Sequence, residues 1–194
     1  MYVAIEGIDT SGKSTQIQAL KLFFKKAIFT FEPGATNLGV RLREILLQDS
    51  IQLDSRAEML LFLADRAQHA NEILQSHANN LIIADRSLIS GMAYAKDFDF
   101  DTLKTFNLFA TQGILPNKVI ILELQKDDLQ KRLNSKGNDK IEQRGLEYLL
   151  SLQERIKSIT QKLSLEHRII NANLPKDSIT KQIVDFIGKE NCVV

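Results

Sequence analysis

Residues 2–16 read Tyr2-Val3-Ala4-Ile5-Glu6-Gly7-Ile8-Asp9-Thr10-Ser11-Gly12-Lys13-Ser14-Thr15-Gln16. Tyr2 to Ile5 form a short apolar run of strand length. Gly7 to Ser14 match G-x-x-x-x-G-K-[ST] at every fixed position. A helical pattern continues from Gln16 to Phe24. A strand that delivers a glycine loop onto a helix N-terminus aims backbone N–H groups at one point, which suits a phosphate chain. Gly7, Ile8, Asp9, Thr10, Ser11, Gly12, Lys13, Ser14 and Thr15 are therefore the expected ATP-phosphate segment. Within it Lys13 would reach the β- and γ-phosphates, and the Ser14 hydroxyl would hold Mg²⁺.

Four apolar runs read as buried parallel strands: Val3–Ile5, Leu81–Ala84, Val119–Leu124 and Arg168–Ile170. Ala27–Phe31 is a weaker fifth. Continuous apolar runs are expected where helices cover both sheet faces. Helical stretches lie between them: Thr15–Lys26, Asn37–Gln48, Ser55–His77, Thr102–Gln112, Asp127–Asn134, Gln143–Leu163 and Ser178–Lys189. This alternation argues for an α/β fold, a three-layer doubly wound parallel sheet of about five strands. No linker, repeat or low-complexity tract divides the chain. It reads as one domain over residues 1–194, with a short lid around 132–143. Ligands of such sheets bind beyond the carboxyl ends of the strands.

The bulk properties exclude several classes. The chain has 194 residues, 44% hydrophobic and 25% charged, ordinary values for a soluble domain with a real core. A net charge of +1 gives no reason to expect nucleic acid or a membrane surface as partner. The N-terminus lacks the basic and long apolar regions of a signal peptide. The longest apolar stretch, Met59–Ala64, is far too short for a bilayer. A single cysteine, Cys192, excludes an internal disulfide and fits a reducing cytoplasm. His69, His77 and His167 are scattered and read as surface or packing residues.

Asp85-Arg86 follows directly on Leu81–Ala84. An acid ending a core strand beside a phosphate loop is placed to hold Mg²⁺. Arg86 would grip a phosphate with its planar fork. The competing role for this pair is to cap a helix starting at Ser87. Phe62 and Arg66 stand at i, i+4 on one helix face. They could grip a base and a phosphate, although a core Phe beside a solvated Arg is the commoner meaning of that spacing. Ser90, Gly91 and Tyr94 follow Arg86 at close range. Lys131, Arg132, Lys136, Lys140 and Arg144 surround Gly137. They read either as a solvated helix pair or as a basic lid that closes over transferring phosphates and excludes water.

Together these segments resemble the thymidylate kinase family, in order and over almost the whole chain. Ile5 to Asp9 and Gly12 to Gln16 are similar to its phosphate loop, including Asp9. Thr30-Phe31-Glu32-Pro33-Gly34 resembles its T-R-E-P-G turn. Leu42-Arg43, Leu61-Phe62 and Ala64-Asp65-Arg66 match its substrate-lining helices. Asp85-Arg86 with Ser90, Ala93 and Tyr94 matches D-R-Y-x-x-S-x-x-A-Y. Gly113 to Pro116 matches its G-L-x-P-D turn, and Asp139 to Glu142 resembles the D-R-I-E end of its lid.

The resemblance implies a P-loop NTPase fold and transfer of the ATP γ-phosphoryl group to dTMP, giving dTDP and ADP for dTTP and DNA precursor synthesis. It implies Mg²⁺ at Ser14 and Asp85, and Lys13, Asp9, Arg86 and Arg132 as catalytic groups. It implies acceptor contacts from Asp9, Glu32, Pro33, Arg43, Phe62, Arg66, Arg86, Ser90, Gly91 and Tyr94. Phe62 would stack on thymine, and Tyr94 would favour deoxyribose. It implies a homodimer packed through helices like Ser55–His77 and Thr102–Gln112. Asn171-Ala172-Asn173 is the expected neighbourhood of adenine. The chain departs from the family pattern at Thr10, Phe31, Ser87, Ala95 and Asn117. Thr10 leaves the phosphate loop without an internal arginine, so Arg132, Lys136 and Lys140 are expected to supply charge from the lid. The competitors are a kinase for another monophosphate or nucleoside, and a GTPase-like switch. Asn117-Lys118 starts the guanine-reading N-K-x-D pattern of such a switch, but its fourth residue is Ile120.

Overall fold

Five parallel strands carry the molecule: β1 (Tyr2–Glu6), β2 (Ile28–Phe31), β3 (Ile82–Asp85), β4 (Lys118–Glu123) and β5 (Glu166–Asn171). Their order across the sheet is β2-β3-β1-β4-β5. The computed structural model describes residues 1–47, 51–136 and 145–192. All five expected strands are present. β1 is buried along its whole length, as a central strand must be. Side chains alternate between faces. Val3, Ile5 and Ile83 enter one large core cluster with Leu20 and Phe24, while Tyr2, Ile82 and Ala84 pack with Ala70 and Leu74. Edge strand β5 buries only Ile170 fully.

The register fixes what sits at the functional end. Ile5 pairs with Asp85, and Phe31 pairs with the same residue from the other side. Glu6 pairs with Ile121. The chain thus leaves β1, β2 and β3 at one level, delivering Gly7, Glu32 and Arg86 to the same edge of the sheet.

The helices are α1 (Lys13–Phe23), α2 (Asn37–Leu47), α3 (Ser55–His69), α4 (Leu88–Tyr94), α5 (Phe100–Ala110), α6 (Lys126–Lys136), α7 (Leu146–Lys162) and α8 (Lys176–Ile187). α1 packs on α8; α2, α3, α5, α4, α7 and α6 form a second connected set. The expected helix Ser55–His77 is two pieces, α3 and a π-helical turn, Ala70–Gln75. Helix α4 stands outside the expected helical stretches and enters the sequence reading only as the helix starting at Ser87 that the Asp85–Arg86 pair would cap. Its seven residues are too few to show a 3.6-residue period. The lid expected around 132–143 falls largely outside the described residues; Arg132 to Lys136 continue α6. Among the described residues no helix is long and apolar enough to cross a membrane.

Candidate active site

The loop after β1 can only be built with glycine at its start. Gly7 has φ +149°, and a Cβ there would meet the Leu122 carbonyl oxygen at 2.8 Å and Ser11 Oγ at 2.7 Å. Gly12 then caps α1 in the left-handed conformation, without a side-chain cap. Gly12, Lys13, Ser14 and Thr15 line a cavity of about 530 Å³ together with Asp9, Thr10, Asp85, Arg86 and Arg132. A helix N-terminus without a cap offers its leading N–H groups to an anion.

Lys13 is buried, and its Nζ donates to the carbonyl oxygens of Gly7 (3.0 Å) and Ile8 (3.1 Å). Burial, reinforced by the Arg86 charge, lowers its pKa to about 8, against the pull of Asp85, Asp9 and Glu6. Asp85 Oδ1 is buried and accepts no hydrogen bond. A bare carboxylate oxygen sharing a cavity with the Ser14 hydroxyl suits a hard divalent cation. Among the described residues no group of three or more His, Cys, Asp and Glu could hold a metal by itself.

Arg86 is held on several sides. Its backbone has φ +71°. Nη2 donates to Asp9 Oδ1 at 2.6 Å, Nη1 donates to Ser90 Oγ at 3.1 Å, and the guanidinium lies 5.4 Å from the centre of the Tyr94 ring. Ser87 does cap α4, its Oγ accepting from the Ile89 N–H. The cap thus comes from Ser87 itself and not from the Asp85–Arg86 pair, and the helix starts one residue later than expected, at Leu88. The Ser87 and Ser90 hydroxyls also donate to Glu6, a fully buried carboxylate whose pKa burial raises. Arg132, reaching in from α6, donates to the carbonyls of Thr10 (2.7 Å) and Ala172 (2.6 Å). It ties the phosphate loop to the chain leaving β5.

A second cavity of about 330 Å³ adjoins the first. Asp9, Glu32, Arg43 and Arg86 line both, and Pro33, Phe62, Arg66, Ser90, Gly91 and Tyr94 line the second but not the first. Arg43 Nη1 donates to the Pro33 carbonyl at 2.7 Å, with its guanidinium 6.0 Å from the Phe31 ring centre. The Phe62–Arg66 pair reverses the commoner arrangement for that spacing: Arg66 is buried, 3% exposed, and Phe62 is partly open. Arg66 can be buried because it is paired. Nε and Nη2 each lie 2.8 Å from Glu32 Oε2, and Nη1 donates to Asn107 Oδ1 at 2.7 Å. Burial alone would raise the Glu32 pKa, but Arg66 and His69 outweigh it and hold the carboxyl below its ordinary value. A third cavity of about 290 Å³ continues past Phe62, Arg66 and Tyr94, with Ala95 in its wall.

The expected site residues therefore converge on two joined cavities, with Gly7, Ile8 and Ser11 forming the loop behind them. Of the expected lid residues, Lys140 and Arg144 lie outside the described residues, and Arg132 reaches the site. Three participants were not foreseen. Glu6 lies inside the segment that resembles the family's phosphate loop, but no role is assigned to it there. His69 was read as packing; its position three residues after Arg66, on the same face of α3, was the available signal. Asn107 carried no signal, since only the fold brings α5 to α3. Asn117, the start of the supposed guanine pattern, is structural here: its Oδ1 accepts from the Tyr2 N–H at 2.7 Å.

The family model for thymidylate kinase matches residues 5–183. The thymidylate kinase of Wolinella succinogenes is 54% identical over 184 residues, covering 95% of this chain and 96% of the relative. That of Campylobacter jejuni subsp. doylei is 51% identical over 191 residues, covering 96% and 100%. The crystal structure of thymidylate kinase from Ehrlichia chaffeensis superposes with a TM-score of 0.77 over 97% of this chain and 98% of that one. At 22% identity, that likeness is one of fold.

Proposed function

The chain belongs to the thymidylate kinase family, and from that premise we propose how its residues transfer the ATP γ-phosphoryl group to dTMP. One observation carries the assignment of roles: the phosphate-loop cavity and the Phe62–Arg66 cavity meet at Asp9, Glu32, Arg43 and Arg86. A donor phosphate chain on one side and an acceptor nucleotide on the other would bring their phosphates together at that junction.

ATP lies with its phosphates along Gly7 to Thr15, where backbone N–H groups and Lys13 receive them. Adenine lies toward Asn171 to Asn173. The dTMP base lies against Phe62 and beside Arg66, with Glu32, Pro33, Ser90 and Gly91 around it and Tyr94 beside the sugar. Its phosphate is held by Arg43 and Arg86, with Asp9 orienting Arg86. Ser14 and Asp85 would hold Mg²⁺, which neutralises charge on the β- and γ-phosphates. An oxygen of the dTMP phosphate forms the new bond to the γ-phosphorus as the bond to the ADP oxygen breaks. That oxygen is already ionised near neutral pH, so no protein base removes a proton. Catalysis is then positioning plus charge stabilisation, from Lys13, Arg86 and Arg132. The chain acts as one domain, with Arg132 at the C-terminal half of α6 supplying charge to the phosphate loop.

The enzyme works as a homodimer through α3 and α5. Leu60 (54% exposed), Phe106 (43%) and Phe109 (84%) support this, being large apolar side chains that a partner copy would cover. It is a cytoplasmic enzyme, with no nucleic-acid or membrane partner.

The test is ADP release from ATP and Mg²⁺ with dTMP, dUMP, dCMP, dGMP, AMP or no acceptor. Turnover is expected to depend on dTMP and to fall at least about a hundredfold in Arg86→Ala, on the scale of losing one preorganised donor. Equal turnover without an acceptor would refute the assignment of the second cavity.

A further inference from the structure

Arg66 sits in a buried chain of polar contacts that extends well beyond the cavities. Glu32 Oε2 takes its Nε and Nη2, and Asn107 Oδ1 takes its Nη1. The other oxygen of Glu32, Oε1, is 2.9 Å from His69 Nδ1, and His69 Nε2 is 2.7 Å from Thr30 Oγ1. Thr30, Glu32, Arg66, His69 and Asn107 are all nearly or fully buried. His69 lines none of the three cavities, whereas Asn107 also lines the third, so it is His69 that acts on a nucleotide bound there only through its neighbours. Glu32, held ionised, can only accept hydrogen bonds, so His69 Nδ1 must carry the proton between them.

We propose that His69 and Asn107 are positioning residues that set the direction in which Arg66 presents its N–H groups to the acceptor base. The proposal rests on the reading of Arg66 as an acceptor contact. The physical need for it lies in the Glu32 side chain. The terminal torsion of a glutamate is broad and does not fix the carboxylate plane. A donor on each oxygen does: Arg66 on Oε2 and His69 on Oε1. Once that plane is fixed, the planar guanidinium is fixed in turn. Asn107 holds the opposite edge. Its Nδ2 donates to the Leu103 carbonyl at 2.7 Å, which keeps Oδ1 toward Arg66. Gly91 closes the remaining side. A Cβ at that position would lie 2.7 Å from both Nη1 and Nη2, so the guanidinium lies against the backbone of α4. Nη1 and Nη2 each retain a further N–H for a ligand. A fixed pair of donors welcomes a keto oxygen on a base edge and repels an exocyclic amine. The buried chain is thereby a device for reading a keto pyrimidine, and His69 is its most distant working part.

The experiment is steady-state kinetics with ATP and either dTMP or dCMP, on Arg66→Ala, His69→Ala, His69→Asn, Asn107→Ala and the Arg66→Ala/His69→Ala double variant. His69→Ala is expected to raise KM for dTMP roughly ten- to hundredfold, the scale of a displaced positioning group. KM for ATP should not change, and the preference for dTMP over dCMP should shrink. His69→Asn, which keeps a donor near Nδ1, should recover most of the loss. The double variant should be no worse than Arg66→Ala alone, because the two act through one contact. If His69→Ala does not fold, Asn107→Ala reads the same signature from the other edge of the fork. The proposal is overturned if Arg66→Ala raises KM for dTMP while neither His69→Ala nor Asn107→Ala does. It is equally overturned if ATP and dTMP constants move together and His69→Asn rescues neither. If Arg66→Ala itself leaves KM for dTMP unchanged, the acceptor reading of the site fails, and the inference with it.

Discussion

The phosphate end of the site and the base end are built by different means. Gly7 to Thr15 is one continuous segment, completed by Asp85 and Arg86 from the adjacent strand. Its geometry comes from the backbone: a glycine with φ +149°, a left-handed cap, and a lysine folded over loop carbonyls. The base end is a lattice of side chains from the end of β2, from α3 and from α5, joined by buried contacts across 34, 37, 39 and 41 residues. A motif made by backbone can lose its key side chain and keep its shape. A lattice of buried charges cannot, because each member leaves another uncompensated. The phosphate end should therefore fail in its chemistry, and the base end in its folding.

The largest effect is expected where the lattice is cut at its centre. Glu32→Ala leaves Arg66 buried without a counter-charge and should cost about 3–5 kcal/mol of unfolding free energy in a urea titration. A loss under about 1 kcal/mol would mean that water replaces the carboxylate, and the contrast between the two ends would collapse. Next comes Lys13→Ala, at about 100- to 1,000-fold in kcat, comparable to losing one preorganised donor. Its stability should not fall, since an ammonium whose charged form burial disfavours is removed. Unfolding of Lys13→Ala on the scale of Glu32→Ala would erase the distinction. Gly7→Ala tests the backbone half directly. Its Cβ would press on a β4 carbonyl that cannot turn aside, so roughly 1–3 kcal/mol should be lost, together with ATP binding. Unchanged ATP affinity there would show that the loop tolerates displacement.

The same contrast explains how much could be read from the residues alone. The five strands were legible because buried parallel strands are continuous apolar runs between helical periods. The phosphate loop was legible because backbone-built sites need fixed residue types at fixed spacing, and Gly7, Gly12, Lys13 and Ser14 state both. At the base end the residues were legible only through a family resemblance, and the details differed. Spacing placed Phe62 and Arg66 on one face of α3, but it could not say which of them is buried. Burial of Arg66 depends on Glu32 and Asn107, which are distant in sequence. His69 was passed over for the same reason: a lone histidine on a helix has no meaning until β2 lies beside it. Helix α4 was legible only as a start after Asp85-Arg86, because a segment of seven residues is shorter than the window in which a helical period shows.

The smallest expected effect separates the two ends by pH. Glu32 has a depressed pKa in the fold, so its stabilising contribution is present above the ordinary carboxylate range and is lost as pH falls through the depressed value. The base end therefore weakens in acid. Lys13 works in the opposite direction and at the opposite limit. Its pKa is about 8 in the fold against an ordinary 10.5. Between those values the unfolded chain holds a proton that the native chain does not, so this residue makes stability rise with pH across that window. Capture of ATP, however, needs the charged ammonium. The free enzyme should thus lose kcat/KM for ATP above about pH 8, approaching a tenfold fall per unit, while the fold grows no weaker. kcat itself should hold to higher pH, because bound phosphates favour the charged lysine. Rate profiles from pH 5 to pH 10 and urea titrations carried down to about pH 3, below the ordinary carboxylate range, would show both limbs. A profile of kcat/KM for ATP that stays flat to pH 10 would mean that Lys13 is not the group that first meets the phosphates. A parallel fall of stability and kcat/KM on the alkaline side would mean that the phosphate end, like the base end, is held together by its charges.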